Sequence, residues 1–216
     1  MLFSDSDLEA IRAAVAEAEQ RTSGEIVPYV VPASDAYPNA IWKGAAFGGL
    51  AGPLIALALH RLLDLWATRF DLWIIVPAAA GGAIGFLLAA FVPPVKRWLA
   101  GDEMLELRTR QRAEMAFLEE EVFRTRERTG ILLFLSLFER RVVVLGDSGI
   151  HALVQPGQWD GIAAEIVAGI RAGRPVDALR TAIASCGQLL ERHGVARRAD
   201  DVNELTDELR RGGRPE

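Results

Sequence analysis

Between Thr129 and Gly149 the chain reads TGILLFLSLFERRVVVLGDSG, and this stretch decides the fold. Ile131 to Leu137 (ILLFLSL) is an uninterrupted apolar run of the kind found in strands buried on both faces. Arg141 to Leu145 (RVVVL) is a second run, rich in β-branched residues. Glu139-Arg140 is a tight connection between them. Runs this close pair antiparallel, because a parallel crossover needs about a dozen residues or more. Asp147-Ser148-Gly149 is turn chemistry and closes the hairpin.

Working outward, Asp102 caps a helix expected to run to about Arg128, with Met104, Leu107, Met115, Leu118 and Val122 as its apolar stripe. Its charged residues, among them Glu119 to Glu121, Arg124, Arg126 and Arg128, read as a solvated surface, with Glu120 and Arg124 as an i, i+4 pair. Downstream, Trp159 opens a helix with Ile162, Ile166 and Ile170 in register. Pro175 sits in the first turn of another that turns Leu179, Ile183, Cys186 and Leu190 inward, and His193-Gly194 ends it. At the other end of the chain, Ser4 and Asp7 resemble a capping box ahead of Leu8, Ile11 and Val15. Ser23-Gly24 stops that helix. Glu25 to Val31 (EIVPYVV) is a strand whose Pro28 suits an edge or a bulge. Helices and strands in this order make a layered α/β domain with no internal repeat.

The domain is interrupted. Mean hydropathy is +0.17 although charged residues make up 25% of the chain, and the apolar excess lies between Ile41 and Val95. Neither Gly44–Leu59 nor Leu72–Val95 carries a charge. A membrane-spanning helix needs roughly 20 apolar residues, which Leu72–Val92 supplies; Ile41–Leu63 does so if Lys43 and Arg61 snorkel. Gly44, Gly48, Gly49 and Gly52 in one segment and Gly81, Gly82 and Gly85 in the other allow close helix approach in lipid. Trp42, Trp66, Trp73 and Trp98 lie near the ends, where aromatic belts sit, and His60 reads as an interfacial anchor. The opening Met1-Leu2-Phe3-Ser4-Asp5 has no signal-peptide character. Basic residues flanking the hairpin outnumber Arg61 and Arg69 in its loop, so both termini and the domain are expected in the cytoplasm.

Composition removes several function classes. A net charge of −5 argues against a nucleic-acid partner. One cysteine and three separated histidines exclude an internal disulfide and argue against zinc. There is no phosphate-binding loop and no serine or metallo-hydrolase signature. Without an intramembrane acid or base the hairpin offers no ion path, so a transporter or channel is disfavoured. One constellation stands out. If Ile131–Leu137 runs parallel to the first strand, Thr129 joins Thr22 and Ser23 at one sheet edge, and the hairpin returns Asp147 to it. The acidic tail, with Asp200, Asp201, Asn203 and Glu204, would fold over that edge. Carboxylates, an amide and hydroxyls suit calcium or magnesium, and such an ion could polarise a phosphate. The bland reading of Asp147, Asp201 and Asn203 is turn and capping chemistry.

The order Arg128-Thr129-Gly130, ILLFLSL, Glu139-Arg140-Arg141-Val142-Val143-Val144-Leu145-Gly146-Asp147, Gly149-Ile150, a lone Trp159 and Asp201-Val202-Asn203-Glu204-Leu205, with Thr22-Ser23-Gly24-Glu25-Ile26 after the opening helix, resembles the TPM-domain family. The resemblance covers the chain except its hydrophobic insert. It implies a small α/β/α sandwich with a mixed sheet, interrupted here by a two-helix transmembrane hairpin: residues 1–40 and 96–211 TPM-like, 41–95 the hairpin, 212–216 a disordered tail. It further implies a membrane-anchored module that binds or assembles other membrane proteins, LemA-type proteins among them, with proteins of photosystem repair and a receptor-associated membrane protein as relatives. The alternative it implies is a calcium- or magnesium-dependent acid phosphatase tethered to the membrane. A homo-oligomer through the glycine-rich hairpin is a further expectation.

The two readings fix an orientation. The first strand ends near Val31 and the chain enters lipid near Ile41, so the Phe138–Arg141 turn is expected to face the bilayer, with Arg140 and Arg141 near anionic headgroups. The Thr129/Asp147 edge then points into the cytoplasm, and the helix from Asp102 forms a stalk.

Overall fold

The computed structural model describes residues 3–63, 72–154, 157–195, 197 and 203–213. The chain divides into two compact units, Met1–Asp35 with Leu107–Glu216, and Ala36–Glu106.

The first unit is built on a four-stranded mixed sheet. Helix α1 (Asp5–Glu19) begins at the expected capping box, with Ser4 and Asp7 satisfying each other's backbone N–H. Strand β1 (Glu25–Val31) follows. After the second unit, the chain forms β2 (Gly130–Ser136) and β3 (Arg141–Gly146), then α6 (Ser148–His151), α7 (Gln158–Arg171), α8 (Pro175–Arg192) and a short β4 (Arg210–Arg211). The sheet order is β3-β2-β1-β4. β1 and β2 run parallel from the Glu25/Gly130 pair to the Val31/Ser136 pair. β2 and β3 form the expected antiparallel hairpin.

Period-two alternation sends the β1 and β2 side chains to opposite faces. Ile26, Val30, Ile131, Leu133 and Leu135 pack beneath α1, α7 and α8, in one core with Ile11, Val15, Ile166, Leu179, Ile183, Cys186 and Leu190. Trp159 belongs to this core and is a packing anchor. Val27, Tyr29, Val31, Leu132 and Phe134 form a second core on the other face. Both faces are covered, which explains why EIVPYVV and ILLFLSL lack polar alternation.

Pro28 lies in a strand that has neighbours on both sides. β1 points Ile26 N–H to Glu19 and Val30 C=O to Gly212, both away from β2, so Pro28 falls on that same side. β4 reaches only Tyr29 and Val30 there, so the missing N–H leaves no ladder bond broken. β4 itself was not legible in the sequence. It also moves the ordered chain past the expected end at 211, since Gly212 N–H donates to Val30 O at 3.0 Å.

The helix expected from Asp102 to Arg128 is shorter. α5 (Asp102–Glu119) has 18 residues, about 27 Å at 1.5 Å each. Glu121 and Arg128 take φ of 51° and 59°, which no continuous α-helix contains. Its expected apolar stripe is also mostly outward, and of its five residues only Val122, past the end of the helix, is buried. Met115 and Leu118 are 56% and 63% exposed, whereas Thr109, Ala113 and Ala116 are fully buried. The facing strands carry Tyr29 and Phe134, stacked 5.7 Å apart. These rings fill the second core and leave room for alanine on the helix.

The second unit contains α2 (Pro38–Leu63), α3 (Leu72–Phe91) and α4 (Pro93–Ala100). It is wider than the expected 41–95 segment. α2 and α3 are long and apolar enough to cross a membrane, with only 6% of the most apolar window of each buried. They meet along their glycines. A Cβ on Gly44 would lie 2.6 Å from Gly85 O, and Cβ atoms on Gly48 and Gly52 would collide with the carbonyls of Gly81 and Pro77. The small-residue faces are therefore used between these two helices. Large side chains point outward, with Trp42 67%, Leu50 69%, Phe91 77% and Trp98 77% exposed. Lys43 Nζ donates to Leu99 O and ties α2 to α4. Trp66, Arg69 and the rest of residues 64–71 lie outside the described residues.

Candidate functional site

The amino ends of β1 and β2 gather the residues singled out by the sequence. Glu25 N–H donates to Thr129 O, and Thr129 Oγ1 donates to Ser23 O at 2.9 Å. Thr22 Oγ1 donates to Val195 O at 2.5 Å and accepts from Gly24 N–H at 3.1 Å. Thr22, Ser23 and Thr129 thus share one edge, as expected, but their hydrogen bonds serve to close the loops that converge there.

The hairpin brings Asp147 to the same edge, with Asp147 N–H bonded to Gly130 O. Its Oδ1 accepts from Ser148 N–H at 2.6 Å and caps α6. Its Oδ2 is shielded from solvent and makes no hydrogen bond. Arg128 Nη1 lies 3.5 Å from that oxygen. Gly149 is needed for the tightness of this turn, because a Cβ there would lie 2.5 Å from Glu127 O and 2.7 Å from Arg128 O.

The tail does fold over the edge, held by a residue the sequence reading passed over. Glu25 is 5% exposed. Its two carboxylate oxygens accept from Glu204 N–H and Leu205 N–H at 3.2 and 3.3 Å. Glu204 Oε2 in turn accepts from Arg126 N–H at 2.9 Å. An acid opening an otherwise apolar strand was the available signal. Asn203 Nδ2 donates to Asp207 Oδ1. Arg12 and residues 203–208 line an open groove of about 350 Å³ beside the tail. Asp200 and Asp201 lie outside the described residues.

A calcium or magnesium ion needs several convergent oxygens. Among the described residues there is no group of three or more acids, histidines or cysteines that could hold a metal. Among the described residues of the expected set, Asp147 Oδ2 is buried without a hydrogen bond and Glu204 is engaged by backbone. The described residues do not by themselves fit a cation.

Nucleophile chemistry finds little support elsewhere. Cys186 is fully buried, and burial pushes its thiol up to about 12. His193 ends α8 and its Nε2 lies 2.9 Å from Gln158 Nε2, and His151 Nδ1 lies 3.1 Å from Asp147 O. At the opposite end of the sheet, Phe138 N–H bonds Pro32 O, so the Phe138–Arg141 turn does lie at the carboxyl end of β1. Glu139 is buried there, accepting from Ser34 N–H at 2.8 Å and from Ser136 Oγ. Arg140 turns through φ 55° beside it.

No family model and no curated protein matches the chain. Among solved structures, the chain is similar to the NMR structure of the BA42 protein from the psychrophilic bacterium Bizionia argentinensis, at 17% identity and a TM-score of 0.58, over 97% of this chain and 95% of that one. At that identity the likeness speaks for a shared fold.

Proposed function

We propose that this protein is a membrane-anchored, TPM-like α/β domain that serves as a binding or assembly module for other membrane proteins. One observation carries the reading: in α2 and α3 the glycines face each other while the leucines, isoleucines and aromatics face outward. A water-soluble hairpin would bury those large side chains; a lipid-facing one leaves them out. Among the described residues the α/β unit shows neither a completed metal site nor an accessible thiol, which suits recognition better than catalysis. Both termini lie in the cytoplasm on the charge distribution. Arg140 and Arg141 face headgroups, and a LemA-type membrane protein is the class of partner the resemblance brings. A homo-oligomer would use faces other than the glycines already paired. Flotation of the full chain with liposomes, before and after alkaline carbonate washing, tests the anchor. A chain that co-floats and resists carbonate supports it, and one that stays soluble overturns it.

A second reading, a tethered acid phosphatase using calcium or magnesium, draws on Asp147 Oδ2 alone. Calorimetric titration with either ion should give heat in the wild type and none in Asp147→Ala. Equal heats in the two remove Asp147 from the site, and phosphatase activity that survives loss of Asp147 and Asp201 ends this reading.

A further inference from the structure

The two edges of the sheet are finished differently. On the outer side of β1, Glu19 accepts from Ile26 N–H, β4 pairs with Tyr29 and Val30, and Pro28 has no donor to offer. β3 is the other edge. Asp147 N–H bonds Gly130 O across the hairpin, and the register from there is unbroken, so Leu145, Val143 and Arg141 also turn their backbone groups toward β2. Val142, Val144 and Gly146 turn theirs outward, and among the described residues none of them makes a hydrogen bond on that side. The faces of the strand are already used, Val142 and Val144 against one core and Val143 and Leu145 against the other. β3 is nonetheless only half-buried along its whole length, where β1 and β2 are buried. What stays open is the edge. Proteins usually guard such an edge with a proline, a bulge or an inward charge. From Val142 to Leu145 there is none of these.

Unpaired N–H and C=O groups that recur every second residue, about 6.8 Å apart, match another extended backbone. The aliphatic side chains beside them favour uncharged, β-branched neighbours across the pair. A second copy is excluded by direction in the membrane reading above. Two β3 edges related by symmetry pair antiparallel about an axis normal to the sheet, which turns the strands of the second chain end for end. Chains anchored in one bilayer with the same strand end toward it cannot meet that way. We propose that the β3 edge binds an extended, uncharged aliphatic segment of another protein by strand addition, bonded to Val142, Val144 and Gly146. This surface serves the membrane-anchored binding module described above and rests on that reading.

The test uses the full chain in detergent micelles, labelled with ¹⁵N-valine. It is titrated with a capped peptide of six alternating valines and threonines flanked by glycine and serine, or with the same peptide N-methylated at every residue. Methylation keeps the side chains and removes the backbone donors. The expected result is a saturable amide shift at Val142 and Val144, larger than at the inward-facing Val143. The methylated peptide should bind about tenfold more weakly or worse, as the loss of one or two hydrogen bonds allows. Val144→Pro removes an outward donor and leaves the β2–β3 ladder intact, so it should keep the fold and bind the unmodified peptide about tenfold more weakly or worse. No saturable shift in the wild type, equal binding of the two peptides, or unchanged binding by folded Val144→Pro overturns the proposal. If Val144→Pro does not fold, the two peptides on the wild type decide by themselves. A cross-linked dimer in micelles that Val144→Pro disperses also overturns it, because the edge then belongs to a second copy. A chain that floats with liposomes yet shows no shift loses this inference alone, whereas a chain that does not float loses the membrane reading.

Discussion

Adding a single methyl group at Gly48 should separate the two hairpin helices, whereas the same change one residue on should not. In Gly48→Ala the new Cβ runs into the carbonyl oxygen of Gly81 and lies 2.8 Å from its carbon and 3.2 Å from Gly85 Cα. Carbon atoms settle at about 3.5–4.0 Å, so α2 and α3 must part locally by about 1 Å. The obstructing atoms are backbone and cannot rotate away. Overpacking of this kind costs about 1–3 kcal/mol. In Gly49→Ala the nearest atoms are Ala78 O at 3.6 Å and Gly82 Cα at 4.0 Å, an ordinary contact. Both variants gain the same helix propensity, about 1 kcal/mol over glycine, so it cancels in the comparison. Gly48→Ala should therefore be less stable than Gly49→Ala by about 1–3 kcal/mol. Denaturation of the purified chain by SDS in mixed micelles, followed by far-ultraviolet circular dichroism, reads the difference. Equal midpoints for the two variants, or a more stable Gly48→Ala, would refute the glycine-to-glycine packing.

Glu25→Gln leaves one acceptor oxygen for two backbone donors; amide exchange at Glu204 and Leu205 should accelerate with a loss of about 1–2 kcal/mol locally, and unchanged exchange would detach the tail from Glu25. Cys186 should resist a thiol reagent at pH 8 in the native protein and react at once in guanidinium, since burial both shields the sulfur and keeps it protonated. Hydrogen bonds from the Ser4 backbone and hydroxyl hold Asp7 below its ordinary 3.8. A lowered carboxylate stabilises the fold above that value and ceases to do so as pH falls through the lower one. Ser4→Ala keeps the backbone donor and removes the hydroxyl, so it should raise the Asp7 pKa part of the way in an NMR titration and fray the first turn of α1; an unmoved titration would exclude the hydroxyl's share of the cap.

What the sequence made legible was local or doubly buried. The β2–β3 hairpin follows from two apolar runs too close to cross over. The inward row Leu179, Ile183, Cys186 and Leu190 follows from one helical period. The capping box at Ser4 needs only its own four residues. Features set by distant partners were not readable. The end of α5 depends on Glu121 entering left-handed space, a conformation its side chain does not advertise. The buried face of that helix is the alanine face, because Tyr29 of β1 and Phe134 of β2 fill the volume it packs against. The convergence of Thr22, Ser23, Thr129 and Asp147 was legible once β1 and β2 were taken as parallel. The part played by Glu25 was not, because its partners are main-chain amides about 180 residues away. β4 pairs through two residues and carries no strand-like run of its own.

The most direct test of the central claim, a membrane hairpin that leaves the α/β unit in the cytoplasm, is cysteine accessibility on intact cells. Cys186→Ala removes the native thiol, and Thr68→Cys places a new one in the sequence between α2 and α3. A membrane-impermeant maleimide should label Thr68→Cys on intact cells, and it should label a second variant, Arg140→Cys, only after lysis. Labelling of Arg140→Cys on intact cells with Thr68→Cys protected until lysis would contradict the orientation, and recovery of the chain in the soluble fraction would contradict the membrane anchor itself.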